Sequence, residues 1–312
     1  MKVNKVCIIG GSGFVGRHIA NLLTTQEINV RIPTRHRERA KELLVLPTAD
    51  VVEANVHDDA ELDRLLIGVD AVINLVGILH GDFRSAHVEL PRKIVAACTR
   101  NGITRLLHMS ALNAGAGRPS EYLRSKGEGE RIVMTSGLIT TCFRPSVIFG
   151  PGDSSLSLFA KLARLPVLPL ASPDAKFQPV FVENVAHAFA ASLAAPNTFG
   201  QCYDLCGPEC HSLRQLVEYA AHVTGQNPVI IGLNDTFSYL QALVMEFLPG
   251  KLMTLDNYCS MKVDSVCDCY GPNTLAEGWG IHPTALEEVA PLYLANRVPR
   301  ERYDRYRHRA GR

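Results

Sequence analysis

The sequence lacks any long apolar segment. No stretch of its 312 residues approaches the ~20 consecutive apolar residues that a membrane-spanning helix needs. The apolar run in MKVNKVCIIGGSGFVG is interrupted at once by glycines and is shorter than the core of a secretory signal peptide. We therefore expect a cytoplasmic protein, with peripheral contact to the inner face of a membrane as the alternative.

An excess of charge of one sign is also missing. Lys and Arg together number 32 and Asp and Glu together 31, which gives a formal net charge of +1. This balance provides no overall attraction to nucleic acid, so we predict no nucleic-acid partner. A small-molecule substrate, including an apolar one, is the expected ligand, and the oligomeric state stays open.

One segment departs from this neutrality. Arg297–Arg312 contains seven arginines against Glu301 and Asp304. Such a terminus is either a solvated tail or a docking element for anionic lipid or an acidic partner. Both interpretations stay open from the sequence.

Cys202, Cys206 and Cys210 are separated by three residues each, which is within reach of the paired spacing of a zinc site. Because we expect a reducing compartment, we predict free thiols and no metal, with a metal site or a disulfide at these cysteines as the alternative. The cysteines that lie near one another in the sequence are Cys202, Cys206, Cys210, Cys267 and Cys269.

Short apolar segments alternate with helical patterns through the first half of the chain. KVCIIG precedes FVGRHIANLL, NVRIP precedes the charged helix pattern RERAKELL, and DAVINLVG precedes a long helical stretch from Arg84 to Asn101. Continuous apolar strands that alternate with helices indicate a parallel sheet covered on both faces. The fold class predicted is α/β, with a doubly wound parallel sheet.

The first strand-to-helix turn reads GGSGFVG. Its glycines permit a tight turn and let the backbone approach a pyrophosphate, while the helix N-terminus offers free N–H groups to the anion. The turn follows the first predicted strand and opens a helix, which is the context that dinucleotide binding requires. The residues predicted to bind the cofactor here are Gly10, Gly11, Ser12, Gly13, Phe14, Val15 and Gly16.

The end of the second predicted strand favours NADP(H) over NAD(H). An NAD site usually has an acidic residue there, but RIPTRHRERA has no acid before Glu38. Arg35 is placed to pair with a 2′-phosphate, which a guanidinium binds well. NADP(H) is therefore the predicted cofactor, with NAD(H) as the alternative.

The segment SEYLRSKGEGE places Tyr122 and Lys126 four residues apart. On a helix this spacing puts both side chains on one face. A free phenol has a pKa near ~10, and a neighbouring ammonium is expected to lower the pKa of Tyr122 toward the range of an acid–base group. The alternative is that Tyr122 only anchors the helix.

The chain resembles the extended or atypical short-chain dehydrogenases/reductases, of the NAD-dependent epimerase/dehydratase type. Within them it is most similar to the NADPH-binding accessory subunit of respiratory complex I and its bacterial relatives. The segments that carry the resemblance are the glycine loop, NLVG at 74–77, HMSALNA at 108–114, YLRSKGEGE, RPSVIFGPGD at 144–153, PVFVENVA at 179–186 and YDLCGPE at 203–209.

This resemblance implies roles for further residues. It implies that Ser110, Tyr122 and Lys126 form the catalytic set, and that Tyr122 and Lys126 also contact the cofactor. It implies further cofactor contacts at Asn55, Val56, Val76, Gly77, Pro145 and Ser146. His87 departs from the family pattern, because extended members often carry Asn at that position to support a proton relay.

The same resemblance implies a Rossmann domain and a smaller, discontinuous C-terminal substrate lobe. The expected boundaries are 1–150 and about 177–205 for the Rossmann domain, about 151–176 and 206–296 for the substrate lobe, and 297–312 for the basic tail. Within the lobe, TFSYLQALVMEFLPGKLM is predicted to be a core or lid helix, with an apolar substrate channel or a membrane-surface contact as the alternatives.

Two functions follow from these observations. One is an NADP(H)-dependent oxidoreductase that transfers hydride between the nicotinamide and a carbonyl or hydroxyl group, with Tyr122 as the acid–base group. The other is a non-catalytic structural or assembly protein that binds NADPH and is related to the complex I subunit. The complete Ser110–Tyr122–Lys126 set favours the first.

Overall fold

A seven-stranded parallel sheet forms the centre of the protein. The computed structural model describes residues 2–248, 252–268, 274–275 and 279–295. The strand order is β11-β6-β5-β4-β1-β2-β3. Its strands are β1 (Lys5–Ile9), β2 (Asn29–Thr34), β3 (Ala49–Glu53), β4 (Ala71–Asn74), β5 (Arg105–Met109), β6 (Ile139–Pro145) and β11 (Gln201–Leu205). The predicted α/β class with a doubly wound parallel sheet is confirmed.

Helices cover both faces of this sheet. Alternate residues of β1 face opposite sides, so Val6 and Ile8 pack on one face and Cys7 and Ile9 on the other. Because both faces are buried, the central strands β1 and β4 contain only apolar residues apart from Lys5 and Asn74, which is why they are recognisable in the sequence. The covering helices are α1 (Phe14–Thr25), α2 (Asp59–Leu66), α3 (Leu90–Arg100), α4 (Glu121–Met134) and α6 (Val182–Ser192).

The remaining elements form a second layer beyond the carboxyl ends of the strands. Short strands pair two by two: β7 (Ile148–Phe149) with β10 (Val180–Phe181), β9 (Lys176–Phe177) with β12 (His211–Ser212), and β8 (Val167–Leu170) with β13 (Val229–Gly232). The helices are α5 (Ser155–Leu162), α7 (Leu213–Val223), α8 (Asp235–Phe247), α9 (Leu255–Ser260) and α10 (Leu286–Leu294). Among the described residues, no helix combines the length and the apolar character needed to cross a bilayer.

Two expectations from the sequence are wrong. The pattern RERAKELL does not form a continuous α-helix, since Arg37–Ala40 forms one 3₁₀ turn and residues 41–44 continue as separate hydrogen-bonded turns. Cys206 and Cys267 form a disulfide across 61 residues, where free thiols were expected. The fold brings Cys267 to the end of β11, a proximity that sequence spacing does not reveal. The basic tail Arg297–Arg312 and Cys269 lie outside the described residues.

A buried arginine ties β5 to its surroundings. The Arg105 side chain is fully buried, and its guanidinium donates five hydrogen bonds of 2.6 to 3.3 Å. Burial lowers its pKa to about 10, still far above neutral pH. Its acceptors are the carbonyl oxygens of Ile139, Ser192 and Leu193 and the hydroxyl oxygens of Thr141 and Thr198.

We predict that Arg105→Lys lowers the free energy of unfolding by about 2–4 kcal/mol, because an ammonium reaches fewer of these buried acceptors and leaves the others unsatisfied. Urea unfolding measures the change. Arg100→Lys is the control, since Arg100 pairs with Asp63 at the surface and should change stability by about 1 kcal/mol or less. Equal effects of the two substitutions would contradict the prediction.

Candidate active site

The glycine turn between β1 and α1 forms a cradle with no room for side chains. Gly10 has a φ of +86°, and a Cβ there would lie 3.2 Å from the backbone of Leu75 and Val76. A Cβ on Gly16 would lie 2.5 Å from the Cα of Gly11. No side chain caps the N-terminus of α1, so its first N–H groups face the cradle. These features fit the pyrophosphate of a dinucleotide.

A groove of about 760 Å³ extends from this cradle along the carboxyl ends of the strands. Arg35, Val56, Val76 and Gly77 line it, as the sequence predicts for a cofactor groove. Asn55 behaves differently, because its side-chain oxygen accepts a hydrogen bond from the His57 N–H at 3.1 Å. Asn55 therefore shapes the turn that presents Val56. The lining residues from the glycine turn are Gly10, Ser12, Gly13, Phe14, Val15 and Gly16.

Lys126 connects this groove to a second cavity. Its side chain is buried, and Nζ donates to the carbonyl oxygens of Val76 at 3.0 Å and Met109 at 3.1 Å. These carbonyls lie just beyond β4 and at the end of β5. A Cβ on Gly77 would lie 3.1 Å from Nζ, so only glycine leaves the ammonium its full space there. Burial lowers the pKa of Lys126 to about 8.

The environment of Tyr122 differs from the prediction. Its ring is half-buried between Phe83 and His87, and burial raises its pKa to about 12. The Asp256 carboxylate contributes to the same shift and accepts hydrogen bonds from the Glu121 and Tyr122 N–H groups at 2.6 and 3.1 Å. The expected lowering of the Tyr122 pKa by Lys126 is therefore wrong. Desolvation dominates, and Lys126 is bonded to backbone carbonyls instead.

Two neighbouring buried groups have a polar atom without a hydrogen-bond partner among the described residues, the His108 Nε2 and the Ser110 Oγ, and of these two residues only Ser110 lines a cavity. Ser110 lies just beyond β5, its side chain is buried, and among the described residues its Oγ has no hydrogen-bond partner. Ser110, Tyr122 and Lys126 all line one cavity of about 400 Å³. The other lining residues are mostly apolar, and they include Leu75, Leu79, Leu112, Ile148, Phe177 and Met261.

Pro145 and Ser146, two of the predicted cofactor contacts, also line this cavity. Pro145 ends β6, and Ser146 follows it. The Ser146 Oγ donates to the Ser265 carbonyl at 2.8 Å and lies 3.1 Å from the Ser265 Oγ. Ser146 therefore holds the segment before Cys267 over the cavity, next to the Cys206–Cys267 disulfide.

His87 forms hydrogen bonds that connect helix α4 to the segment after β4. It lies in a π-helical turn, Ser85–Glu89, that precedes α3. Its Nε2 accepts from the Ile78 N–H at 3.0 Å, so Nδ1 carries the proton and donates to the Ser125 Oγ at 2.9 Å. The Ser125 hydroxyl donates in turn to the Tyr122 carbonyl. Burial, with the nearby Lys126 charge, lowers the pKa of His87 to about 3.

His108 is a second buried imidazole on the same face of the sheet. Its Nδ1 accepts from the Asn74 amide at 3.1 Å. Burial, followed by the charge of Lys126, lowers its pKa to about 3. Both histidines are therefore neutral at physiological pH. The His87 ring binds the backbone N–H of Ile78 beyond β4, and the His108 ring binds the side chain of Asn74 at the end of β4.

The cysteines that are close in sequence do not converge. Cys206 is bonded to Cys267, Cys210 is exposed, and Cys202 lies beside Cys142 and Glu130. The Cys202 Sγ lies 4.0 Å from a Glu130 carboxylate oxygen, but that carboxylate already binds the Arg144 guanidinium. A cation at this position would compete with Arg144. The sequence prediction of no metal stays a prediction.

The fold and the sequence have known relatives. Residues 10–158 match the family model described as NAD(P)H-binding, and residues 118–199 match the 3-beta hydroxysteroid dehydrogenase/isomerase family. The rat protein "NADH dehydrogenase [ubiquinone] 1 alpha subcomplex subunit 9, mitochondrial" is 31% identical over 230 residues, which are 70% of this chain and 60% of that protein. The chain belongs to the NAD(P)-binding, epimerase/dehydratase-like family of short-chain dehydrogenases/reductases.

Relatives within this family differ in what their names say. The ceramide reductase of Caulobacter vibrioides is 28% identical over 235 residues, covering 74% of both chains. The matched region spans only 60% of the rat respiratory subunit. The family resemblance inferred from the motifs is thus confirmed, while the relatives include both a named reductase and a respiratory subunit.

Solved structures of low sequence identity share the fold. An NADPH-dependent quinone oxidoreductase from Escherichia coli, solved in complex with NADPH, matches with a TM-score of 0.73 at 21% identity, covering 93% of this chain and all of that one. A nucleoside-diphosphate-sugar epimerase from Staphylococcus aureus matches with a TM-score of 0.73 at 16% identity, covering 94% of this chain and 100% of that one. At these identities they support the fold alone.

Asp256 is the site residue that the sequence analysis missed. Thr254 and Asn257 form a capping box that marks the start of α9. That pattern locates a helix, but it does not reveal that the Asp256 carboxylate reaches the N-terminus of α4, 134 and 135 residues earlier. Such a contact depends on how the second layer packs on the sheet.

The buried histidines should make stability depend on pH. Their folded-state pKa of about 3 lies below the ordinary value of 6.5, so only the unfolded chain takes up protons between these limits. The free energy of unfolding should therefore fall as pH drops below 6.5, by up to about 1.4 kcal/mol per pH unit for each ring. His87→Gln should reduce the slope of the free energy of unfolding against pH, because one of the two buried rings is removed. His222 is exposed, and His222→Gln should leave the slope unchanged. Urea unfolding at pH 7, 6 and 5 tests this, and an unchanged slope in His87→Gln would refute it.

Proposed function

We propose that the protein is an NADP(H)-dependent reductase of a carbonyl group on an apolar substrate. The observation that carries the proposal is the Ser110 hydroxyl, which is buried and has no partner among the described residues. It shares an apolar cavity with Tyr122 and Lys126. A buried hydroxyl without a partner costs about 1–3 kcal/mol, and a substrate oxygen would satisfy it.

The protonation state of Tyr122 favours reduction over oxidation. With a pKa of about 12, the phenol keeps its proton at neutral pH. A proton donor is what a carbonyl oxygen needs as it becomes a hydroxyl, while the Ser110 hydroxyl orients that oxygen. The bound nicotinamide supplies the hydride. Lys126, with a pKa of about 8, stays mostly protonated and contributes positive charge at this place.

Arg35 supports the choice of NADP(H). It is exposed at the end of β2, lines the cofactor groove, and makes no ion pair among the described residues. A guanidinium held in this position is available to a 2′-phosphate. The segment RIPTRHRERA has no acidic residue before Glu38 that could accept hydrogen bonds from an unmodified ribose.

A non-catalytic NADPH-binding protein is the second candidate. Lys126 already has a structural role, because its bonds to the Val76 and Met109 carbonyls fix α4 to the sheet without any turnover. The Asp256 carboxylate further disfavours ionisation of Tyr122. The rat relative is named as one subunit of a larger NADH dehydrogenase, and a subunit of an assembly can have a structural role. Identification of the nucleotide that co-purifies, followed by its oxidation with a panel of long-chain ketones, separates the two.

For the cofactor, we expect Arg35→Asp to weaken NADPH binding by more than about tenfold and NADH binding much less. Only NADPH loses a charge-assisted pair and meets repulsion. Fluorescence titration of both nucleotides measures this. Arg37→Asp is the control, because it makes the same charge change at an exposed position outside the groove lining. A wild-type preference for NADH would show that Arg35 has another role.

For the chemistry, we expect Tyr122→Phe to keep NADPH affinity nearly intact and to lower turnover by about 10²–10⁴, the usual cost of losing a positioned acid–base group. The exposed Tyr239→Phe should leave turnover unchanged. Stopped-flow oxidation of NADPH with an accepted ketone is the measurement.

Lys126→Ala separates the two candidate functions. In a reductase it should impair both nucleotide binding and turnover. In a structural protein it should lower only nucleotide affinity and thermal stability, and Tyr122→Phe should have no effect in any assay. Full turnover by Tyr122→Phe would exclude its role as the proton donor.

A further inference from the structure

An apolar stripe lies on the outside of helix α8. The side chains of Phe237, Leu240, Val244 and Phe247 are 58%, 50%, 54% and 82% exposed. Their spacing of three, four and three residues places them along one face of the helix. Leu248 and Leu252, which follow the helix, are each 50% exposed. We refer to Phe237, Leu240, Val244 and Phe247 as the α8 stripe.

The opposite face of α8 is polar or small, although it is the face that packs on the protein. Ser238 and Ala242 are buried there. The Ser238 Oγ accepts from the Ser172 N–H at 3.1 Å, and the Gln241 amide donates to the Pro169 carbonyl at 2.9 Å. The most buried positions of α8 are therefore less apolar than its exposed positions, so α8 is not a core helix, while its predicted role as a lid stays a prediction.

Both carboxylates of α8 are directed away from the stripe. Asp235 accepts a hydrogen bond from the Tyr258 hydroxyl and pairs with Lys262 at 3.6 Å. Glu246 accepts from the Leu255 N–H at 3.2 Å. All three partners belong to α9 or follow it directly. The α8 stripe therefore contains no charged and no hydrogen-bonding side chain.

Helix α9 links this surface to the candidate active site. Tyr239 of α8 and Tyr258 of α9 have ring centroids 5.9 Å apart. On its other side α9 contributes Asn257 and Ser260 to the lining of the substrate cavity, and Met261 follows them. The α8 stripe therefore lies on the outside of the layer that closes the cavity.

We propose that the protein docks on a lipid bilayer through the α8 stripe. A specific protein interface carries about one hydrogen bond per 100–200 Å², which the stripe cannot supply, whereas the acyl region of a bilayer requires none. Charge complementarity supports a bilayer that contains anionic lipid. The sequence after Ala295 adds seven arginines against two acids, and an extended chain of this length spans up to roughly 55 Å.

Two weak signals together give stable membrane attachment where either alone is marginal. The α8 stripe supplies apolar area, and the arginines supply attraction to anionic headgroups. Docking in this way brings the outer wall of an apolar cavity to the lipid. The inference does not depend on catalysis, because vesicle binding requires no turnover.

The test is flotation of the full-length protein with vesicles of phosphatidylcholine, alone or mixed with phosphatidylglycerol. We expect wild type to float with the mixed vesicles, and the double variant Val244→Asp/Phe247→Asp to bind them more than roughly tenfold more weakly. Val45→Asp is the matched control, because Val45 is 80% exposed but lies in the nucleotide-binding part, and it should bind like wild type. Equal thermal unfolding midpoints show that the variants are folded.

A second set of variants separates the two signals. Replacement of Arg302, Arg305, Arg307 and Arg309 by glutamine in the full chain should remove the preference for phosphatidylglycerol. The proposal is overturned if wild type binds neither kind of vesicle, or if the double variant binds as well as wild type. It is also overturned if the double variant instead abolishes a dimer seen by analytical ultracentrifugation, since the stripe would then bind a second copy.

Discussion

The buried ammonium of Lys126 is the contact on which the site depends. Its two hydrogen bonds fix the middle of α4 to the Val76 and Met109 carbonyls, at the ends of two neighbouring parallel strands. The first of these strand ends borders the groove at the glycine turn, and the second borders the cavity lined by Ser110, Tyr122 and Lys126. Because carboxyl ends of parallel strands meet at one edge, a single lysine on a packed helix can join both. Gly77 lies close to the Lys126 ammonium, and because it has no side chain it leaves room for that group.

Tyr122 responds to opposing influences, and burial prevails. A neighbouring ammonium would lower its pKa, whereas desolvation and the Asp256 carboxylate raise it to about 12. The spacing of Tyr122 and Lys126 predicts one shared helix face, and both residues line one cavity, but spacing carries no information about which acceptors the lysine binds. Lys126 donates to backbone carbonyls because α4 packs deeply against the sheet, and that depth depends on the whole fold.

Much of the fold could be predicted from the sequence, because the local pattern of apolar residues agrees with the burial of the strands and helices. Three features could be predicted because they depend on residues close together in the sequence. They are the apolar strands, the glycine turn and the helix that carries Tyr122. The contacts that were missed join distant segments: Asp256 to the start of α4, Cys206 to Cys267, and Arg105 to the end of α6. The outward stripe of α8 was also missed, because an apolar helix has the same composition whether it faces core or solvent.

Ser110 distinguishes the two candidate functions better than Tyr122 or Lys126. Lys126, Ser146, His87 and Asp256 all form hydrogen bonds within the described protein, so each has a structural reason to be there. The Ser110 hydroxyl is buried and forms none. A fold that only needed to bind NADPH would be more stable with alanine at this position, because no desolvated hydroxyl would remain. An oxygen of a substrate in the apolar cavity completes the arrangement, and this is the physical argument for a reductase.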